Sequence, residues 1–118
     1  MSEPLAPCRR WRNCVCSRRD ASRVHRVEPF VILGNPEAVI RRLRSLLEDL
    51  PRTEIVTETA DYLHALCRSL RGFIDDVEFR LCPDEGVIHV RSAARSGLHD
   101  LGVNRRRVER LRRRYMGE

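Results

Sequence analysis

Between residues 75 and 82 apolar and polar positions alternate: Val77, Phe79 and Leu81 against Asp76, Glu78 and Arg80. Residues 87–94 alternate in the same way, and Pro83-Asp84-Glu85-Gly86 between them has the composition of a turn. A period of two puts neighbouring side chains on opposite faces, so the pair reads as a β-hairpin. With Cys82 opposite Val87, Leu81 meets Ile88, Phe79 meets Val90 and Val77 meets Ser92. On the other face Arg80 meets His89 and Glu78 meets Arg91. The pairs match in character, which specifies the register. Asp75 and Asp76 fall on opposite faces and cannot act there as a carboxylate pair.

Other stretches have their own periods. Residues 29–33 (PFVIL) form a short apolar run with Pro29 at its start, a buried strand by pattern. Gly34 breaks it. Asn35-Pro36-Glu37 then opens a helix, with a capping amide, Pro at the first helical position and an acid in the first turn. Val39, Ile40, Leu43, Leu46, Leu47 and Leu50 recur at steps of three and four, so the helix spans 36–50 with one apolar stripe. Arg41, Arg42 and Arg44 form its solvated edge. Residues 53–59 are rich in β-branched side chains and read as a strand. Another begins near Asp61, with Tyr62, His64, Leu66 and Arg68 on one face, and Leu70-Arg71-Gly72 turns the chain.

The last stretch is a loop and a basic helix. Gly97 and Gly102 bracket an irregular segment with His99 and Asp100. Asn104 is placed to cap a helix over 104–115, with Val103 and Val108 as a hydrophobic staple. Val108, Leu111 and Tyr115 make a narrow stripe. Arg105 and Arg107 straddle it, and Arg106, Arg110 and Arg113 point away. Three Arg in a first turn oppose the helix dipole by roughly 0.3–1 kcal/mol each. A bound anion or carboxylates folded against that end would account for them, and the abundance of acids favours internal ion pairs.

Residues 1–28 show no clean period and are expected to be an irregular segment laid on a single domain spanning 1–118, with Trp11 as its anchor. Cys8, Cys14 and Cys16 with His25 lack standard zinc spacing, so no metal is expected. The thiols are expected to be reduced, and Cys67 and Cys82 to be small core hydrophobes. In an oxidising compartment Cys8 and Cys14 could close a disulfide.

Charge narrows the classes of function. All 23 basic residues are Arg, and the formal net charge is +6. Residues 1–26 carry seven Arg against two acids, 103–118 carry seven against two, and 27–102 carry nine against thirteen. Basic ends therefore flank an acidic centre, which steers anionic partners or folds the ends onto the middle. No stretch reaches the ~20 apolar residues of a membrane span. The N-terminus lacks the apolar core of a secretory signal, so the expected location is cytoplasmic.

The segments PCRRWRNCVCS, DYLHALCRSLRGFIDDVEFRL and GVIHVRSAARSGLHDLGVNRRRVERLR resemble the bacterial and plastid family called domain of unknown function 1499. The likeness covers nearly the whole chain. It falls on Cys8, Asn13, Cys14, Tyr62, His64, Arg68, Ser69, Asp75, Asp76, Glu78, His89, Arg91, Ser92, Arg95, Gly97, Asp100, Gly102, Asn104, Arg105 and Arg107. Arg10, Arg12, Cys16, Leu66 and Ala94 depart from the family pattern. The resemblance implies no activity.

The expected fold is α+β: an antiparallel sheet of about four strands, with helices 36–50 and 104–115 packed on it. The first functional reading is a non-catalytic module that binds an anionic small molecule or a protein partner through an Arg/Asp network. Its candidate residues are Arg68, Asp76, Glu78, His89, Arg91, Arg95, Asp100, Asn104, Arg105 and Arg107, with Cys8, Cys14, Gly97 and Gly102 as structural positions. No cofactor is expected. The alternative is a hydrolase using Asp76, Glu78 and His89, although no nucleophile-elbow, phosphate-loop or HExxH pattern occurs. The third is nucleic-acid backbone binding through the basic helix. Aromatic content of 5% provides no evident stacking platform for that reading.

Overall fold

The hairpin forms in the expected register in the computed structural model, which describes residues 4–97 and 99–118. Six strands make one antiparallel sheet. They are β1 (Cys14–Cys16), β2 (Phe30–Val31), β3 (Thr53–Glu58), β4 (Tyr62–Arg68), β5 (Ile74–Cys82) and β6 (Val87–Ala94). The order is β1-β6-β5-β4-β3, with β2 also on β6. β1 pairs with residues 91–93 of β6 and β2 with residues 87–88, so the two short strands share its outer edge end to end. The count exceeds four because the N-terminal segment supplies β1. Three residues are too few to show a period, but the exposed edge of β6 offers them unpaired backbone groups. The run 29–33 contributes only Phe30 and Val31 as strand.

Two helices, α1 (Pro36–Glu48) and α2 (Val103–Tyr115), cover one face of the sheet. Leu63, Ala65, Val77, Phe79, Leu81, Ile88 and Val90 meet Val39, Ile40, Leu43 and Leu47 of α1 and Val108, Leu111 and Tyr115 of α2 in one apolar cluster. Asn35 caps α1, its Oδ1 accepting the Glu37 N–H at 2.9 Å. Phe30 lies between Phe79 and Tyr115, with ring centroids 5.3 and 5.5 Å away. Tyr115 keeps its buried hydroxyl satisfied: it donates to the Val31 carbonyl at 2.8 Å and accepts the Leu33 N–H at 3.0 Å. The end of α2 is thereby tied to the segment that carries β2.

The start of α2 differs from the expectation. Gly102 is the cap residue, at φ 82, and Asp100 supplies the capping oxygens. Its carboxylate accepts the Gly102 N–H at 2.8 Å and the Asn104 N–H at 3.1 Å. A Cβ on Gly102 would sit 2.8 Å from the Arg106 guanidinium, and L side chains rarely adopt this φ. Asn104 is instead inside the helix and fully buried. The staple does not form, because Val103 is itself helical and exposed while Val108 is buried.

The N-terminal segment also corrects two expectations. Trp11 is 41% exposed, with Arg10 stacked on its ring, so it is no anchor; Leu5, Cys14, Val15, Cys16, Ser17, His25 and Val27 are buried there instead. Cys8 and Cys14 are joined in a disulfide, so neither is a reduced thiol or a ligand donor. Cys16 and Cys67 are buried free thiols, and Cys82 is half-buried.

Candidate functional site

The strand period puts two different polar systems on the two sides of the sheet. On the side away from the helices, β4, β5 and β6 present Tyr62, His64, Asp76, Glu78, Arg80, His89 and Arg91. Asp76 accepts from His64 at 2.7 Å and takes a two-pronged contact from Arg95 at 2.8 and 3.0 Å. The Arg95 fork, then His64, hold the Asp76 carboxyl below its usual range against the opposing cost of burial. Glu78 accepts the Tyr62 hydroxyl at 2.5 Å and lies 3.6 Å from Arg91. Burial first, then the hydrogen bond to Glu78, pushes the Tyr62 phenol well above its ordinary value. Arg80 stacks on Tyr62 at 4.2 Å.

His89 belongs to neither carboxylate of that layer. Its Nδ1 meets the Ser17 hydroxyl at 2.9 Å and its Nε2 meets Glu85 at 3.1 Å. The expected trio Asp76, Glu78 and His89 is thus divided, since three residues of β6 separate His89 from Ala93, the partner of Asp76.

Under the N-terminal turn of α2 lies a second network, built around Asn104. Its Oδ1 accepts from Ser92 at 2.6 Å and from Arg107 at 2.7 Å. Its Nδ2 donates to Asp100 at 2.8 Å and to the Asn13 carbonyl at 3.3 Å. Arg107 completes the chain with Asp75 at 2.8 Å. Burial alone would raise the Asp100 pKa, but the donors from Asn104 and Gly102 outweigh it and lower it. Arg105 spans to the carbonyls of Arg26 and Val24 at 2.8 and 3.0 Å, and Arg106 reaches the Leu101 carbonyl at 2.9 Å. Of the three Arg of the first turn, one pairs with a carboxylate and two donate to backbone carbonyls. Gly97 accepts the Asn13 side-chain N–H at 2.6 Å, holding the N-terminal segment to the loop.

These networks use nearly every candidate residue internally. Arg68 is the exception: it is exposed, with no side-chain bond or ion pair to another described residue, and it lines a groove. The groove, of about 1210 Å³, runs between the 69–73 turn and α2. Leu70 (86% exposed), Phe73 (59%), Leu101 (77%) and Val103 (40%) all line it. Eight Arg line it against one acid, Glu109, which Arg112 already binds at 2.9 Å. Among the described residues Arg68, Arg71, Arg110 and Arg113 make no ion pair and no side-chain hydrogen bond, so their charge faces outward.

Both apolar tips carry hydrogen bonds within their own turns. In the 69–73 turn the Ser69 N–H bonds the Phe73 carbonyl at 2.9 Å, and the Ser69 hydroxyl accepts the Phe73 N–H at 3.0 Å. Leu101 sits at φ 54, strained for a branched side chain, with its N–H on His99 Nδ1 at 3.0 Å. Sequence reasoning passed over these residues because each is a lone apolar side chain in a turn. Their signal was that Leu70, Phe73 and Leu101 stand where small polar residues are normal. A smaller cleft of about 300 Å³ is lined by Arg12, His99, Asp100 and Arg105, and the last three already hold the bonds described.

Among the described residues no helix is long and apolar enough to cross a membrane. Residues 4–114 match a family model described as "Protein of unknown function (DUF1499)". No curated protein matches the chain.

Proposed function

Because the chain belongs to the DUF1499 family, whose description carries no activity, we propose its role from its own geometry: a single-domain, non-catalytic module that binds an acidic, partly apolar segment of a partner protein in the groove beside α2. One observation carries this reading. Four exposed apolar side chains and four outward-facing Arg share that groove, and the turns presenting them are pinned by their own hydrogen bonds. Preorganised tips reduce the ordering cost of association. Unpaired guanidiniums favour carboxylates by charge and by their forked geometry. A concave shape suits an inserted peptide, as when an amphipathic helix lies in a groove. The internal Arg/Asp networks then act as the frame of the fold, and Arg68 is the member of the first candidate set that faces the partner.

The Cys8–Cys14 bond bears on location. Cytosolic reductants keep such pairs open, so this bond fits an oxidising compartment and a cytoplasmic location requires it to be reduced in the cell.

The test is fluorescence anisotropy with two labelled amphipathic peptides, one with Leu and Glu faces and one with Leu and Lys faces. Saturable binding of the Glu peptide alone is expected. Arg71→Glu with Arg110→Glu, and separately Leu70→Ser with Phe73→Ser, should each weaken it by about tenfold or more. Equal binding of both peptides, or indifference to both double variants, would sink the proposal. Two further probes separate the competing occupants. Preference for anionic phospholipid vesicles over the peptide would reassign the groove to a membrane surface. Salt-sensitive binding of single-stranded DNA that needs the Arg pair but not Leu70 and Phe73 would reassign it to nucleic acid.

A further inference from the structure

The β5–β6 turn brings three different donor types together away from the groove. Cys82 ends β5, Glu85 ends the single 3-10 turn Pro83–Glu85, and His89 is the third residue of β6. Gly86, at φ 73, folds that turn back with its N–H on the Pro83 carbonyl at 3.0 Å. The Cys82 thiol, a Glu85 carboxylate oxygen and a His89 ring nitrogen all lie within 4.8 Å of one another. We propose that Cys82, Glu85 and His89 form a binding site for a zinc-type divalent metal ion, with a further coordination position open.

The donor set selects the metal class. One thiolate, one imidazole and one carboxylate match a borderline ion such as Zn²⁺, and they are a poor match for Mg²⁺ or Ca²⁺, which take all-oxygen shells. Three protein donors leave a tetrahedral ion one position for water or a partner's side chain.

The imidazole is also held from behind. Ser17 is buried on the far side of His89, 2.9 Å from Nδ1, and its oxygen accepts the Val90 N–H at 2.9 Å. A hydroxyl both donates and accepts. It can donate to Nδ1 while Nε2–H bonds Glu85, and it can accept Nδ1–H when Nε2 gives its lone pair to a metal. Such outer partners orient metal-binding imidazoles and fix their tautomer. Sequence reasoning missed the cluster because Cys82 read as a core thiol and His89 as a strand residue. The C-x2-E-x3-H spacing has meaning only once the turn is tight.

One group opposes the ion from solvent. Arg19 lies 3.5 Å from Glu85, and its side chain is 83% exposed, so it swings away at little cost. Arg80, opposite His89 in the register, is the other nearby cation, and it is already engaged with Tyr62 and Asp61.

Titration with Zn²⁺ by calorimetry, and with Co²⁺ followed by its thiolate charge-transfer absorption, tests the site. One ion per chain is expected, with no comparable uptake of Mg²⁺ or Ca²⁺. Cys82→Ser and His89→Gln should each weaken binding by about tenfold or more and abolish or alter the cobalt–thiolate band. Absence of saturable binding by the wild-type chain, or unchanged affinity in Cys82→Ser or in His89→Gln, would each overturn the assignment. Circular dichroism of the variants confirms that any loss arises in a folded chain.

Discussion

Replacing Asn104 by Ala removes four hydrogen bonds from a side chain with no solvent exposure. Two of them run to charged groups, Arg107 and Asp100. Neutral bonds contribute about 1 kcal/mol net and bonds to charged groups about 1.5–3, so pairwise addition gives about 5–8 kcal/mol. Addition overestimates, because members of one network are coupled and two of the orphaned groups reach solvent. Arg107 keeps Asp75, and Asp100 keeps the N–H groups of Gly102 and Asn104 itself. The group left without its stated acceptor in the interior is the Ser92 hydroxyl, which costs about 1–3 kcal/mol. The expected loss is therefore about 3 kcal/mol, seen in urea unfolding as a lower midpoint with an unchanged slope. In a thermal scan this is a fall of about 12 °C, at about 4 °C per kcal/mol for a chain of this size. Ser92→Ala serves as the comparison: it removes the hydroxyl and leaves Asn104 bonded to Arg107, Asp100 and Asn13. Coupling between the two positions in a double-mutant cycle should exceed about 0.5 kcal/mol. A loss below about 0.5 kcal/mol for Asn104→Ala, the range of ordinary surface substitutions, would refute the view of Asn104 as the hub of this turn.

Other outcomes follow from the same geometry. Cys8→Ser with Cys14→Ser opens a loop of sequence separation 6 and should cost about 2 kcal/mol in the loop-entropy treatment, with reductant producing the same shift in the wild-type chain. Asp76 and Asp100 have folded pKa values below the usual 3.8, so their contribution is present above the unfolded pKa and is lost as pH falls through the folded value. Acid titration should therefore show stability declining below about pH 4, with a shallower decline in Asp76→Asn. Leu101→Asn should relieve the strain at φ 54 and raise stability by about 0.5–1 kcal/mol while weakening acidic-peptide binding, a trade that a purely structural Leu101 would not show.

The β5–β6 register and the stripe of α1 were legible in the sequence because they rest on local periodicity. A strand alternates and a helix repeats whatever surrounds it, so Phe79 opposite Val90 and Asn35 ahead of Pro36 could be read from the chain. The same logic placed Asp75 and Asp76 on opposite faces, where they bind Arg107 and Arg95. Local pattern by itself also established that Arg106, Arg110 and Arg113 leave the buried side of α2. What tertiary structure decided is the partner of each polar group. Asn104 has the composition of a cap and became a buried hub, because the chain brought Ser92 and Asn13 to it across 12 and 91 residues. β1 exists because β6 has a free edge. Leu70 and Leu101 lie far apart in sequence, and only the placement of α2 across from the 69–73 turn makes them two walls of one groove. Periodicity is a property of the backbone and survives in a single line of letters. Pairing across a fold depends on where distant segments meet, and that follows from burial of the whole core.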